Sequence, residues 1–447
     1  MKNNRRIFLK NLGLAGAAVT LSPMVFAKKH ETANKMQRLE RLDATKTIRL
    51  GLIGAGGMGT ADTNTALLHS NIELVAVCDL YTGRLDDAQS RWGNHIFVTK
   101  DYKEVLKRKD IDVVIIGTTD HWHKQIGIDA LNAGKHVYCE KPMVHSVSEG
   151  LALIKVWKKS GKIFMVGSQG LSSLGNEKAK QLLAEGAIGK LNYAEGFWVR
   201  NSPEGAWQYK IPEDASEKTV DWKKFVSNTI PRPFDAMRFF RWRNYLDYGT
   251  GMSGDLFVHL FSSLHFITNS FGPNKISSTG GLRYWKDGRE VPDVLLGMFD
   301  YPQSEQHPAF NLSLRCNFVD GTSGSTYLKL VGSKGSMDVK WNDVVVKRNI
   351  NMIDDDPFLA EKEKDIARIK SRKKMRPPLE TTYSAEEGYK GAHYDHFANL
   401  FYAIRTNGTV VEDPIFGFRA AAPALLCNDS YRSNSFIHWD PINMKVI

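Results

Sequence analysis

Ile48-Arg49-Leu50-Gly51-Leu52-Ile53 runs straight into Gly54-Ala55-Gly56-Gly57-Met58-Gly59, and this junction decides the fold. An apolar strand opening onto G-x-G-x-x-G and a helix-compatible run is a dinucleotide-binding fingerprint. Gly54 permits the tight turn, Gly56 lets backbone approach a pyrophosphate, and Gly59 lets the helix pack closely on the strand. Ala55, Gly57 and Met58 complete the cradle. The pyrophosphate is expected on free N–H groups at the helix N-terminus, where the dipole favours an anion. A second strand, Glu73-Leu74-Val75-Ala76-Val77-Cys78, is apolar almost throughout, as a parallel strand covered on both faces should be. It ends in Asp79, about twenty residues past the last glycine, where a carboxylate can accept hydrogen bonds from ribose hydroxyls. A carboxylate there repels the extra ribose phosphate of NADP, so NAD is the expected cofactor. Arg84 is the feature that speaks for NADP instead.

Farther along, Val137-Tyr138-Cys139 leads into Glu140-Lys141-Pro142. Lys141 thus stands at the carboxyl end of a strand, where open α/β sheets bind their ligands. A lysine beside a cationic nicotinamide ring has its pKa pushed down and can exchange protons with a substrate hydroxyl. Strands are expected near 48–53, 73–79, 96–99, 112–117, 136–139 and 163–167, with helices between them. The pattern changes after Gly189. Residues 191–200 alternate like a half-exposed strand, and a loop-rich aromatic segment follows to Tyr248. Strands at hairpin spacing are then expected at 276–284, 293–300, 309–319, 324–331 and 336–347, and helices at about 393–406 and 414–432.

The expected fold class is therefore α/β plus α+β: an N-terminal Rossmann doubly wound parallel sheet, then a C-terminal open, mainly antiparallel sheet with helices on one face. The divisions read from the chain are a signal peptide at 1–27, a linker at 28–46, an NAD-binding domain at 47–170 and a substrate and oligomerisation domain at 171–447.

A chain of 447 residues exceeds what a single core usually organises. No apolar run reaches membrane-spanning length, so no membrane anchor is expected. The formal charge of +11 includes Lys2, Arg5, Arg6 and Lys10 in an acid-free N-terminus, and a basic cluster from Lys370 to Arg376. Neither is interleaved with aromatics or set in a nucleic-acid motif, so no nucleic-acid partner is expected. Asn4-Arg5-Arg6-Ile7-Phe8-Leu9-Lys10, an apolar stretch from Leu12 to Val25 and the small-residue site at Ala27 resemble a twin-arginine export signal. The resemblance implies the twin-arginine translocase as a partner during export and a periplasmic or otherwise exported location. Such proteins cross already folded, so four cysteines would fold in a reducing compartment. No C-x-x-C spacing is present, and no metal site is expected.

Asp255 and His259 lie four apart in Gly249-Thr250-Gly251-Met252-Ser253-Gly254-Asp255-Leu256-Phe257-Val258-His259-Leu260. On an α-helix they share a face. The surrounding positions are apolar almost all round, which marks a buried helix, and a buried aspartate and histidine must be paired or put to use. His259 is expected to take a proton, with Asp255 orienting it or binding a substrate hydroxyl. His265 falls off that face and is expected to be structural. Sugars are bound by aromatic faces and paired polar groups. The loop-rich segment offers Trp198, Arg200, Trp207, Arg241 and Arg243, with Arg200, Trp207, Arg243, Asp255 and His259 as the expected substrate set.

Together the fingerprint, Glu140-Lys141-Pro142, Asp255-x-x-x-His259 and the closing His396-x-x-Asn399 resemble the glucose–fructose oxidoreductase, inositol dehydrogenase and rhizopine-catabolism (Gfo/Idh/MocA) family over nearly the whole chain after Thr47. The stretch Arg200 to Arg243 is similar to exported, sugar-associated members. The resemblance implies that Lys141 and His259 act in proton transfer and that Asp255 binds substrate. It also implies that Thr118, His123, Glu140 and Gln169 lie around the cofactor, that the Lys141–Pro142 bond is cis, and that an open sheet carries substrate and a homo-oligomer interface. Gly170 departs from it, standing where relatives often carry arginine.

The reading that follows is an exported NAD(H)-dependent oxidoreductase acting on a secondary hydroxyl or ketone of a sugar or glycoside, with tightly held cofactor. The alternative is an NAD-dependent glycoside hydrolase working by oxidation, elimination, addition and reduction. A third reading, a non-catalytic sugar-binding protein on the same fold, is opposed by the joint presence of Asp79, Lys141 and His259.

Overall fold

The computed structural model describes residues 46–322, 324–349 and 379–447. The export-like segment, nearly all of the linker and the basic cluster at 370–376 lie outside the described residues. Six strands, β1 (Ile48–Ile53), β2 (Ile72–Cys78), β3 (Phe97–Thr99), β4 (Val113–Ile116), β5 (His136–Glu140) and β6 (Phe164–Gly167), form a parallel sheet in the order β3-β2-β1-β4-β5-β6. Strand β4, Val113-Val114-Ile115-Ile116, is fully buried, because helices cover both faces of such a sheet. The strand order reverses between β1 and β4, the switch point at which open α/β sheets bind ligands.

Part of that cover comes from the far end of the chain. The helix Ala392–Thr406 lays Phe397, Leu400 and Phe401 into the cluster that holds Leu50, Leu52, Val113 and Tyr138. His396 ties it down, with Nε2 at 2.8 Å from the Val166 carbonyl and Nδ1 at 2.8 Å from the Ser172 hydroxyl.

The second sheet has ten strands: β7 (Leu191–Val199), β8 (Lys275–Gly281), β9 (Val294–Tyr301), β10 (Phe310–Asn317), β11 (Tyr327–Gly332), β12 (Gly335–Val339), β13 (Asp343–Arg348), β14 (Leu379–Ser384), β15 (Ile437–Asp440) and β16 (Lys445–Val446). Their order is β14-β13-β12-β11-β7-β10-β9-β8-β15-β16, antiparallel except where β10 runs parallel to β7. Alternation decides the faces. Leu295 and Phe299 point into the core, while Leu296 and Met298 remain 44% and 62% exposed. The helices Val258–Thr268 and Pro414–Ser433 pack on the inner side.

Three expectations change. Residues 336–347, read as one strand, are two, because the chain turns back at Lys340–Asn342 between β12 and β13. Residues 309–319 join β9 as a hairpin neighbour but also pair in parallel with β7, a long-range choice with no local signal. Strands β14, β15 and β16 also extend the sheet; β14 and β16 carry no apolar alternation, and in β15 it spans only Ile437-His438-Trp439-Asp440.

Between β7 and the helix Val258–Thr268, the loop-rich segment folds onto the parallel sheet. Val220, Trp222, Phe225, Phe239, Phe240 and Tyr248 form a core of their own with Tyr81 at the end of β2. Val220 bridges Tyr81, Thr82 N–H donates to the Thr219 carbonyl at 2.9 Å, and Asp221 N–H donates to Leu80 at 2.8 Å.

Candidate active site

At the first βα turn the glycines have the roles their spacing requires. Gly54 takes φ +95°, and a Cβ there would meet the Gly117 backbone at 2.6 Å; one on Gly59 would lie 2.0 Å from the Gly54 carbonyl oxygen. The helix Gly57–Ala66 begins at Gly56 with no side-chain cap, so its first N–H groups are open to an anion. Around Gly57 a Cβ would meet nothing within 4 Å. Asp79 closes the cradle: its Oδ2 accepts from Ala55 N–H at 2.8 Å and its Oδ1 from Tyr81 N–H at 2.9 Å. Each oxygen keeps a further lone pair for ribose hydroxyls. Arg84 Nη1 stands 3.5 Å from both oxygens, and its guanidinium lies over Phe239 and Phe240 at 5.6 and 5.5 Å. A pyrophosphate-bearing nucleotide fits this donor set.

Lys141 leaves β5 through a cis Lys141–Pro142 bond. Its Nζ donates to the backbone carbonyl and to Oδ1 of Asp255, both at 2.9 Å. Arg243 Nε reaches the same oxygen at 3.2 Å. The Lys141 and Asp255 side chains are each 9% exposed. Burial alone would push the Asp255 carboxyl up, but the Lys141 and Arg243 charges hold it well below the usual range. Residues Ser253–Phe257 form a π turn leading into Val258–Thr268, a local widening common at functional sites.

The expected pairing of Asp255 with His259 is replaced. Asp255 spends Oδ1 on the two cations, and His259 Nδ1 is buried without a hydrogen-bond partner among the described residues. The His259 ring instead stacks on Trp198, centroids 5.2 Å apart at 21°. Burial first, then the Lys141 charge, drives the imidazole pKa well below 6.5. His259 is therefore neutral near pH 7 and able to accept a proton, with an ammonium close by.

The other face of β5 carries a brace. Glu140 Oε1 accepts from Gln169 Nε2 at 2.5 Å, and the same amide contacts Tyr138 Oη at 2.7 Å and Asp62 Oδ1 at 3.3 Å. Glu412 accepts from Ser168 N–H and from the Ser262 hydroxyl, both at 3.1 Å. Burial raises all three carboxyls: Glu140 to about 7, Glu412 to about 8, and Asp62 well above its ordinary value, pushed further by Glu140. His123 spans the turn above, with Nδ1 2.8 Å from the Pro142 carbonyl and Nε2 3.2 Å from that of Thr118.

Trp207 and Arg241 are spent on the protein's own packing, and His265 is structural as expected. Trp207 is 3% exposed with its ring edge-on to Phe318 at 4.7 Å, part of the core rather than a free face for a ligand. Arg200 lies over Trp198 at 5.5 Å. Arg241 braces the loop-rich segment, donating to Tyr209 O at 2.9 Å and Gln208 Oε1 at 2.6 Å. His265 Nε2 contacts Tyr301 Oη at 2.9 Å in the core. Sequence reasoning passed over Trp341, which with Trp198 and His259 lines a cavity of about 260 Å³. The polar pair Asn342-Asp343 was the signal for the turn that carries it. Asp62 and Glu412 were also passed over, because Asp62 stands in a polar helical stretch and Glu412 beside Asp413 in a loop, where acids carry no signal of burial.

Residues 48–168, the stretch that holds the cradle, match the family model "Oxidoreductase family, NAD-binding Rossmann fold" (GFO_IDH_MocA). An inositol 2-dehydrogenase from Salmonella typhimurium is 31% identical over 178 residues, 39% of this chain and 52% of its own length. A glycosyl hydrolase family 109 protein from Shewanella baltica is 30% identical over 238 residues, 50% of each chain. The chain thus spans about half the length of the curated relatives it matches. Among solved structures, a levoglucosan dehydrogenase in complex with NADH and levoglucosan superposes with a TM-score of 0.63 at 17% identity, covering 88% of this chain and 99% of the other. At that identity the likeness speaks to fold, and it extends through both sheets.

Proposed function

We propose that the chain is an NAD(H)-dependent oxidoreductase that oxidises or reduces a secondary hydroxyl or ketone of a sugar or glycoside and retains its nucleotide between turnovers. One observation carries this reading. Lys141, held by Asp255 at 2.9 Å, and a neutral His259 one turn beyond Asp255 converge where β5 ends beside an NAD-binding turn. When bound, the nicotinamide supplies the hydride acceptor. Lys141 can donate a hydrogen bond to the substrate oxygen, favouring the alkoxide that precedes oxidation. His259 can accept the hydroxyl proton. Asp255, kept ionised by two cations, fixes the Lys141 ammonium and presents a second oxygen to a neighbouring hydroxyl.

Retention is supported by the loop-rich segment, whose aromatic core grips Tyr81 and Arg84 beside the ribose carboxylate Asp79. Denaturing the purified protein should release NAD(H) at a sizeable fraction of one per chain; NADP in its place would mean that Asp79 does not meet the ribose. A second reading, NAD-dependent glycoside hydrolysis without net redox change, is favoured by the relatives named family 109 glycosyl hydrolases. Single turnover in deuterated water separates the two. The dehydrogenase gives lasting reduced nicotinamide and a keto-sugar free of deuterium; the hydrolase gives transient reduction, a released aglycone and deuterium beside the former ketone.

Two further parts of the reading rest on other features. Export through the twin-arginine route is supported by Arg5-Arg6 and the apolar stretch after them; replacing both arginines by lysine should leave the protein in the cytoplasm. Self-association is supported by the uncovered sheet face bearing Leu296 and Met298; light scattering at a monomer mass would remove that support.

A further inference from the structure

We propose that the cavity between Trp198, His259 and Trp341 is a subsite for an uncharged pyranose ring, with Trp341 as its platform; this rests on the sugar-oxidoreductase reading. The cavity, about 260 Å³, is walled by Trp198, Tyr327, Leu260, Leu328, Val339 and Trp341, and no carboxylate lines it. Its single lysine, Lys340, lies on the exposed turn. A pyranose has the complementary surface, a C–H face for an aromatic ring and a rim of hydroxyls for polar groups. Such a pocket, apolar with a few placed donors, is the usual form of a small-ligand site.

Two buried atoms in the wall ask for partners. Trp198 is 8% exposed and its Nε1–H has no acceptor, and His259 Nδ1 has no partner either, among the described residues. A buried polar atom left unpaired is costly. Both are closed to a water molecule, so a ring hydroxyl meets them only where the indole or the imidazole turns. His259, shared between this cavity and the Lys141–Asp255 cluster, joins ring binding to proton transfer.

Trp341 is held in place by two glycines. A Cβ on Gly170 would stand 2.5 Å from Trp341 Nε1, so the indole occupies space that any other residue at 170 would take. A Cβ on Gly175 would stand 1.8 Å from the Lys340 carbonyl oxygen, and Gly175 N–H donates to the Trp341 carbonyl at 2.9 Å. The β12–β13 turn is thereby pinned to the start of the helix Leu174–Ala184. The indole faces His259 at 6.3 Å and 60° and His393 at 6.0 Å and 63°. Gly170 therefore trades its own side chain for an aromatic platform delivered from the other sheet.

The test uses the full chain with its own nucleotide bound. Calorimetric titration with the methyl pyranosides of glucose, galactose, mannose and N-acetylglucosamine, and with glucuronate and galacturonate, reads binding independently of turnover. At least one neutral glycoside should bind more tightly than either uronate. Trp341→Ala should weaken that binding about tenfold or more, the scale of removing an aromatic anchor from a pocket. Trp341→Phe should recover most of it, and Gly170→Leu, which leaves Trp341 present but displaced, should reproduce the loss. Binding of no neutral glycoside, equal or tighter binding of a uronate, or a Kd indifferent to Trp341→Ala would each overturn the subsite. The underlying reading fails separately. Trp341-dependent binding without any nucleotide reduction leaves the subsite standing and removes the oxidoreductase, whereas reduction with a Kd indifferent to Trp341 does the reverse.

Discussion

Glu140 and Lys141 are chain neighbours whose side chains enter opposite electrostatic worlds. Glu140 turns toward Tyr138, Gln169 and Asp62, a set of buried acids and amides without a contacting cation, and its pKa rises to about 7 through burial. Lys141 turns toward Asp255 and Arg243, where two cations surround one carboxylate and hold it ionised despite burial. The same desolvation acts on both carboxyls, so the sign of each shift is set by whether a cation is in contact. A carboxyl that can hold a proton braces; one that stays charged can fix an ammonium beside substrate.

The comparison breaks first at Lys141 and His259. Lys141→Ala and His259→Ala should each lower kcat about a hundred- to ten-thousandfold, the usual worth of a general acid–base group; near-normal turnover at saturating sugar would reduce the pair to structure. The His259 pKa lies below 6.5, so the acidic limb of the rate profile should fall below that of an ordinary histidine. The sign is the same for stability: the share contributed by neutral His259 is full above 6.5 and is lost as pH falls below it.

Asp255→Asn sharpens the contrast from the other side. It leaves Lys141 and Arg243 buried without their counter-charge, a loss on the scale of about 3–5 kcal/mol for a broken buried pair, read as a lowered Tm together with lost turnover. An unchanged Tm would mean that water reaches these cations. Glu140→Gln should be far milder, because an amide replaces a carboxyl that is half protonated near neutrality; a loss as large as that of Lys141→Ala would place Glu140 in the chemistry.

The smallest effect belongs to Glu412. Its folded pKa of about 8 lies above the ordinary 4.5, so the stability it contributes is full at low pH and lost as pH rises through 8. Glu412→Gln should therefore gain on the parent in Tm, by a few degrees, between about pH 5 and about pH 9, since each kcal/mol moves Tm by only about a degree in a chain this large. A parallel pH dependence in both proteins would show that Glu412 is already solvated.

What the sequence determined by itself is local or periodic. Apolar runs such as Val113-Val114-Ile115-Ile116 read as buried parallel strands because burial on both faces leaves no polar position. Gly54, Gly56, Gly59 and Asp79 were legible because a turn and a ribose fix residue type at fixed spacing. Lys141 was legible from its place at the carboxyl end of a strand, and Asp255 and His259 as buried polar groups needing a use. Tertiary structure alone decided the partners. Asp255 faces Lys141, 114 positions away, and Arg243 instead of His259. Trp207 entered the core, Trp341 arrived over Gly170 from the β12–β13 turn, and β10 chose β7 as a parallel neighbour. The reason is physical: spacing along one helix or strand constrains only neighbours within a turn, whereas a contact across the chain depends on which surfaces pack, and no single segment encodes that.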